Sequence, residues 1–161
     1  MSKIKIHIRN NHWKEGFLPC DTEGEKNNTI TKEEFEKGLM KYPELREKIE
    51  YLIDWDDDNF VSSMNTADVL LGWQFPIKNL KEIAPNLKWI HLISAGVNHL
   101  FPFDWMKEDL ILTNSSGVHA KKAGEFGLMS ILMLQNHMTR LITHQRNKEF
   151  VSLLAKPIEG R

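Results

Sequence analysis

Cysteine occurs once in these 161 residues, at Cys20, which excludes an internal disulfide. It sits among Pro19, Asp21 and Glu23, with no helical or basic neighbour to lower its thiol pKa, and reads as an inert surface cysteine. The sequence also lacks an apolar N-terminal leader and any apolar run long enough to span a bilayer, so no membrane role is expected and the cytoplasm is the expected location. Charge of one sign is missing too. Twenty-one Lys and Arg against 22 Asp and Glu leave a net charge of -1. Basic residues cluster no more densely than short pairs such as Lys121-Lys122, so there is no electrostatic footprint for nucleic acid or an anionic membrane. Metal-ligand spacing is absent around His7. The acidic run Asp54, Asp56, Asp57 and Asp58 lacks the glycine and glutamate of a calcium loop, and reads as a solvated acidic turn. No metal is expected.

The length suits one domain with a core of its own. Lys3-Ile4-Lys5-Ile6-His7-Ile8-Arg9 alternates polar and apolar residues at period two, the pattern of a strand with one face strongly buried. His7 falls on the alternate face, as a packed or solvent-edge histidine. Asn10 to Asn28, with Gly16, Pro19 and Gly24, reads as a long loop. Thr31 and Glu34 have capping-box spacing, and Phe35, Leu39 and Met40 continue a helix. Pro43 opens a further helical piece through Leu45, Ile49 and Leu52, although Tyr51-Leu52-Ile53 could instead supply a second strand running into Trp55. Ala67 to Gly72 is a third strand, Ile77 to Ala84 a helix stopped by Pro85, and Asn86-Leu87 leads into a fourth strand. Leu110-Ile111-Leu112 is a fifth. Strands alternating with helices predict an α/β fold, a doubly wound parallel sheet of about five strands.

Two strand ends draw the eye because they break into small, amide-rich loops. Trp89 to Ile93 runs into Ser94-Ala95-Gly96, and Leu110 to Leu112 runs into Thr113-Asn114-Ser115-Ser116-Gly117. In an open α/β sheet, ligands sit beyond the carboxyl ends of the strands, where backbone N–H groups are presented. With no bulky side chain at Ala95 or Gly96, consecutive N–H groups from Ala95 through Val97 could meet an anion, Gly96 being expected in a positive-φ turn. Trp73-Gln74-Phe75-Pro76 follows the third strand and either walls a pocket or caps the core. His119 stands at the start of the last helix, where it reads as a solvated helix terminus. Phe126, Leu128, Met129, Ile131, Leu132, Met133 and Leu134 make that helix apolar nearly all round. If it ran from Ala120 to Phe150, it would reach roughly 45 Å.

Four blocks resemble the D-isomer-specific 2-hydroxyacid dehydrogenases, in the family's order and spacing: Leu87-Lys88-Trp89-Ile90; Ser94-Ala95-Gly96-Val97-Asn98-His99-Leu100; Leu112 to Ala120; and Ala123-Gly124-Glu125-Phe126. The likeness extends over most of Lys3 to Arg161 and implies the flavodoxin-like substrate-binding domain of that family. On that basis residues 1–118 form the substrate-binding domain, and residues 119–161 a long interdomain and dimerisation helix with its linker. The resemblance implies that the amides of Gly96 and Val97 take a substrate carboxylate, that the loop at Trp73 and Gln74 lines the pocket, and that His119 is a candidate pocket residue. It further implies a small 2-keto or 2-hydroxy acid as partner and a homodimer through residues 126–134. NAD or NADP would serve the whole enzyme. None is expected to bind this stretch, because the sequence contains no Gly-x-Gly-x-x-Gly turn. The family's catalytic Arg, Glu and His are not assignable here, and His99 is left out of catalysis. The closing residues Ala155 to Arg161 match the polar approach to the family's dinucleotide-binding strand, which implies a chain cut at a domain border. The alternative to part of a dehydrogenase is a free-standing flavodoxin-like binding or interaction module.

Overall fold

The computed structural model describes residues 2–12, 26 and 28–158. Cys20, most of the loop expected from Asn10 to Asn28, and the last three residues lie outside the described set. Five parallel strands form one sheet: β1 (Ile4–Asn10), β2 (Ile49–Trp55), β3 (Val69–Gly72), β4 (Trp89–Leu92) and β5 (Ile111–Asn114). Their order is β2-β1-β3-β4-β5, the flavodoxin-like arrangement in which the winding reverses between β1 and β3. The expected α/β, doubly wound, five-stranded parallel sheet is what forms.

Helix α1 (Lys32–Leu39) begins with the capping box read from the sequence: Glu34 N–H donates to Thr31 Oγ1 at 3.2 Å, while Thr31 N–H donates back to the Glu34 carboxylate at 3.1 Å. The helix lies over β2, with the Phe35 and Tyr51 rings 4.6 Å apart. One-turn α2 (Pro43–Arg46) then gives way to β2, which settles the ambiguous Tyr51-Leu52-Ile53 as strand. On the other face, α3 (Phe60–Met64) and the single turn α4 (Leu80–Ile83) bring Phe60, Met64 and Leu80 against Leu70, Ile90 and Leu92. The helix expected over Ile77 to Ala84 is cut to that one turn, because Asn79 takes a left-handed conformation just before it.

The alternation in β1 is the instructive departure. Register puts His7 opposite Leu70 and Arg9 opposite Gly72, on the same face as the apolar cluster, so these polar positions are enclosed as fully as Ile8 on the alternate face. His7 is 0 % and Arg9 6 % exposed, whereas Ile4 is 46 % exposed. A central parallel strand is covered on both faces, and period-two reading assumes only one. The acidic turn is likewise not simply solvated. Buried Asp54 accepts from Asn59 N–H at 2.9 Å and from its Nδ2 at 3.1 Å. Asp57 pairs with Arg9, and Asp56 with His12.

The chain divides into two compact units, residues 1–116 and 117–161. The second contains α5 (Ala120–Gln135) and α6 (Met138–Arg146). A single helix from Ala120 to Phe150 does not form. His137 adopts φ 54°, which ends the hydrogen-bonded ladder between the two, so α5 is 16 residues and about 24 Å long.

Candidate functional site

Gly72 closes β3 under constraint. A Cβ there would stand 3.0 Å from the Arg9 carbonyl oxygen, so only glycine lets β1 and β3 approach this closely. The chain then continues into half-buried Trp73 and Gln74, and both main-chain carbonyls are taken. The Gln74 carbonyl accepts from Arg9 Nη1 and, at 3.3 Å, from Asn11 Nδ2. Asn11 Oδ1 accepts the Gln74 N–H in return at 3.4 Å. Across the loop, His99 Nε2 donates to the Trp73 carbonyl at 2.9 Å. The Gln74 side-chain amide itself has no partner among the described residues.

Arg9 anchors this end of the sheet. Its Nη2 donates to Asp57 at 2.9 Å, its guanidinium lies 5.8 Å from the Phe60 ring centroid, and its buried Nε has no partner among the described residues. Beside it, His7 Nδ1 is 2.6 Å from Ser63 Oγ, while Nε2 faces Asp54 at 4.0 Å, too far for a hydrogen bond. Burial pushes the His7 imidazole below its ordinary pKa; Asp54 opposes that shift and Arg9 adds to it. Further out, His12 stacks on Trp55 at 4.4 Å and pairs with Asp56 at 2.7 Å. Burial works to raise the Asp56 carboxyl, but hydrogen bonds from the His12 ring and backbone outweigh it and hold the group below the usual carboxylate range.

The end of β4 is built the opposite way. Ser94 Oγ donates to the Gly96 carbonyl at 2.8 Å, and Asn114 Nδ2, arriving from β5, donates to the Ala95 carbonyl at 2.9 Å. In a planar trans peptide the N–H points away from the preceding carbonyl, so anchoring these two oxygens turns the Gly96 and Val97 amides outward. Among the described residues no acceptor takes the N–H of Ala95, Gly96 or Val97. Gly96 is exposed, and a Cβ there would meet nothing within 4 Å. The expectation of a positive φ at Gly96 is corrected: the described glycine in that region is Gly117, at φ 89°. Gly96 serves by being small rather than by being left-handed. The result is a row of free backbone donors suited to a carboxylate.

Structure thus brings Trp73, Gln74, Ala95, Gly96 and Val97 together at adjacent strand ends of one unit. His119 belongs to the other unit, as the exposed N-cap of α5, with no side-chain hydrogen bond to a described residue. Arg9, Asn11, Ser94, His99 and Asn114 were missed as site residues by sequence reasoning. Asn114 and Ser94 did lie in the small-residue loops already singled out, but nothing local marks a hydrogen bond made across strands.

Among the described residues no group of three or more His, Cys, Asp or Glu could hold a metal, and no helix is long and apolar enough to cross a membrane. Neither a protein-family model nor a curated protein sequence matches the chain. Solved structures do. A D-isomer specific 2-hydroxyacid dehydrogenase family protein from Aeromonas salmonicida subsp. salmonicida A449 is similar at 18% identity and a TM-score of 0.66, covering 99% of this chain and 44% of that one. One from Klebsiella pneumoniae 342 is similar at 22% identity and a TM-score of 0.55, covering 98% and 42%. A probable 2-hydroxyacid dehydrogenase from Rhizobium etli CFN 42, solved in complex with NADP, HEPES and L(+)-tartaric acid, is similar at 19% identity and a TM-score of 0.58, covering 96% and 42%. The chain therefore has the fold of D-isomer specific 2-hydroxyacid dehydrogenase family structures, across under half of their length.

Proposed function

We propose that this chain is the substrate-binding part of an NAD(P)-dependent D-2-hydroxyacid dehydrogenase, and that it holds the carboxylate of a small 2-keto or 2-hydroxy acid. The observation carrying this reading is the row of unpartnered amides at Ala95, Gly96 and Val97, with Trp73 and Gln74 at the neighbouring strand end. An anion met by preorganised N–H groups gains charge-assisted hydrogen bonds at little ordering cost. L(+)-tartaric acid in the Rhizobium etli structure is a small hydroxy acid of the right class. The whole enzyme would be cytoplasmic, and His119, at the start of α5, stays a candidate substrate-binding residue of that enzyme.

In that enzyme the nicotinamide supplies or accepts the hydride at C2 of the substrate. The residues of this chain do not fit the dinucleotide, because a pyrophosphate needs a glycine-rich turn at a helix N-terminus and the sequence has no Gly-x-Gly-x-x-Gly. Its own residues bind and orient the acid; none is assigned to proton transfer. The isolated chain should accordingly show no dehydrogenase activity, and no NAD or NADP is expected on it. The test is a titration with L-tartrate or pyruvate followed through the backbone amide resonances. Gly96 and Val97 should shift and saturate. Amides that stay still at tens of millimolar acid would defeat the assignment.

A second reading, a free-standing flavodoxin-like binding or interaction module, is favoured by one observation. None of the residues of α5 is buried, and Phe126, Leu128, Ile131 and Leu134 are all more than half exposed. Leu128, Met129, Leu132 and Met133 line an apolar groove of about 530 Å³. Both readings lead to a homodimer through residues 126–134, since so large an apolar stripe is rarely left in water. Sedimentation equilibrium at micromolar concentration should find dimers, and Met129→Lys with Met133→Lys should give monomers or insoluble protein. A monodisperse wild-type monomer would sink the assembly.

A further inference from the structure

Both strand ends of the candidate site belong to loops, and loops hold a carboxylate only if their mutual spacing is fixed. One side chain bridges the two. His99 lies two residues beyond Val97, in the single-turn 3-10 helix Asn98–Leu100, and its Nε2 reaches back 2.9 Å to the Trp73 carbonyl. A carbonyl can only accept, so the imidazole donates there in its Nε2–H tautomer or as the imidazolium. Leu100, next in sequence, is 2 % exposed and packs in the core, which fixes the turn that carries His99. From the opposite side, Arg9 and Asn11 hold the Gln74 carbonyl. The Trp73-Gln74 segment is thus pinned on one flank by β1 and on the other by the turn that presents the free amides.

We propose that His99 is a positioning residue, which sets the distance between the Trp73-Gln74 wall and the Ala95–Val97 amides and so determines how well a small 2-keto or 2-hydroxy acid fits between them. This rests on the reading of those amides as the carboxylate site. His99 does not itself touch the acid or move a proton. Its ring is exposed and its contribution is one hydrogen bond across the two loops.

The test compares the wild-type chain with His99→Ala and His99→Gln, each titrated with L-tartrate and with pyruvate while the Gly96 and Val97 amides are followed. Loss of the bridging bond in His99→Ala should raise the Kd about fivefold. The Gln side chain carries an N–H₂ donor, and His99→Gln should return the Kd to within about twofold of wild type. Rescue by a donor of different shape is what a merely space-filling role would not give. Equal affinity in wild type and His99→Ala would overturn the proposal while leaving the carboxylate site standing. Wild-type amides that do not respond to either acid would remove the carboxylate site, and the proposal with it. Should His99→Ala lose its amide dispersion, Asn11→Ala loosens the same wall from the β1 side: weaker binding there supports the pinned wall, and unchanged binding overturns it.

Discussion

At the end of β3 the main-chain carbonyls of Trp73 and Gln74 are both spoken for, by His99 in one case and by Arg9 and Asn11 in the other. At the end of β4, one strand away, the carbonyls of Ala95 and Gly96 are anchored and the following amides are left open. The same device, side chains donating to backbone oxygens, closes one loop and primes the other. What differs is the direction in which the remaining peptide groups face. A loop with its polar groups satisfied internally is a wall; a loop whose N–H groups have no internal partner keeps its hydrogen-bonding capacity for a ligand.

The largest effect expected from breaking this comparison is on the wall side. Gly72→Val would drive a branched side chain into the Arg9 backbone, at a contact already 3.0 Å for a bare Cβ. Overpacking of that kind should cost ~1–3 kcal/mol or more in denaturant unfolding, because neither β1 nor β3 can shift without breaking ladder bonds. A Gly72→Val protein as stable as wild type would mean that the strand ends are not held as described.

Next in size is a pH dependence under the same wall. His7 is enclosed, and its folded-state pKa lies below the ordinary value of 6.5, chiefly through burial. The unfolded chain therefore binds the proton more readily than the folded one. Stability is complete above the unfolded pKa and should fall as pH drops below 6.5 towards the depressed folded value, with a slope of up to ~1.4 kcal/mol per pH unit from this group. His7→Gln, which keeps an acceptor or donor for Ser63 but cannot charge, should flatten that part of the profile. Urea midpoints measured between pH 5 and about 7.5 on both proteins would decide it. An identical slope in the two would place the titration elsewhere.

The smallest expected effect sits on the open side. Gly96→Ala adds a Cβ into space with no atom within 4 Å, at a residue outside the left-handed region. Its unfolding free energy should stay within about 0.5 kcal/mol of wild type, in contrast to Gly72. A large loss would show that the turn is tighter than the geometry gives.

Period and punctuation in the sequence were enough for the fold class, the strand count, the capping box at Thr31 and Glu34, and the two small-residue loops at the ends of β4 and β5. These are local properties: alternation, apolar runs and turn chemistry act on near neighbours. The sequence alone also marked Ala95, Gly96 and Val97 as possible donors, because small side chains there are visible without any coordinates. It did not determine that both faces of β1 are enclosed, since His7 and Arg9 are buried by Phe60, which follows more than fifty residues later. Nor did it determine the break at His137, where a left-handed residue divides what the apolar pattern reads as one helix. The partners of the two loops were likewise decided by the tertiary structure. Arg9, Asn11 and His99 reach Trp73 and Gln74, and Asn114 reaches Ala95, only because parallel pairing sets β1, β3, β4 and β5 side by side with their carboxyl ends together. Hydrogen bonds between chain segments 19 to 65 residues apart leave no period in a sequence, and at this end of the sheet they distinguish a closed wall from an open row of donors.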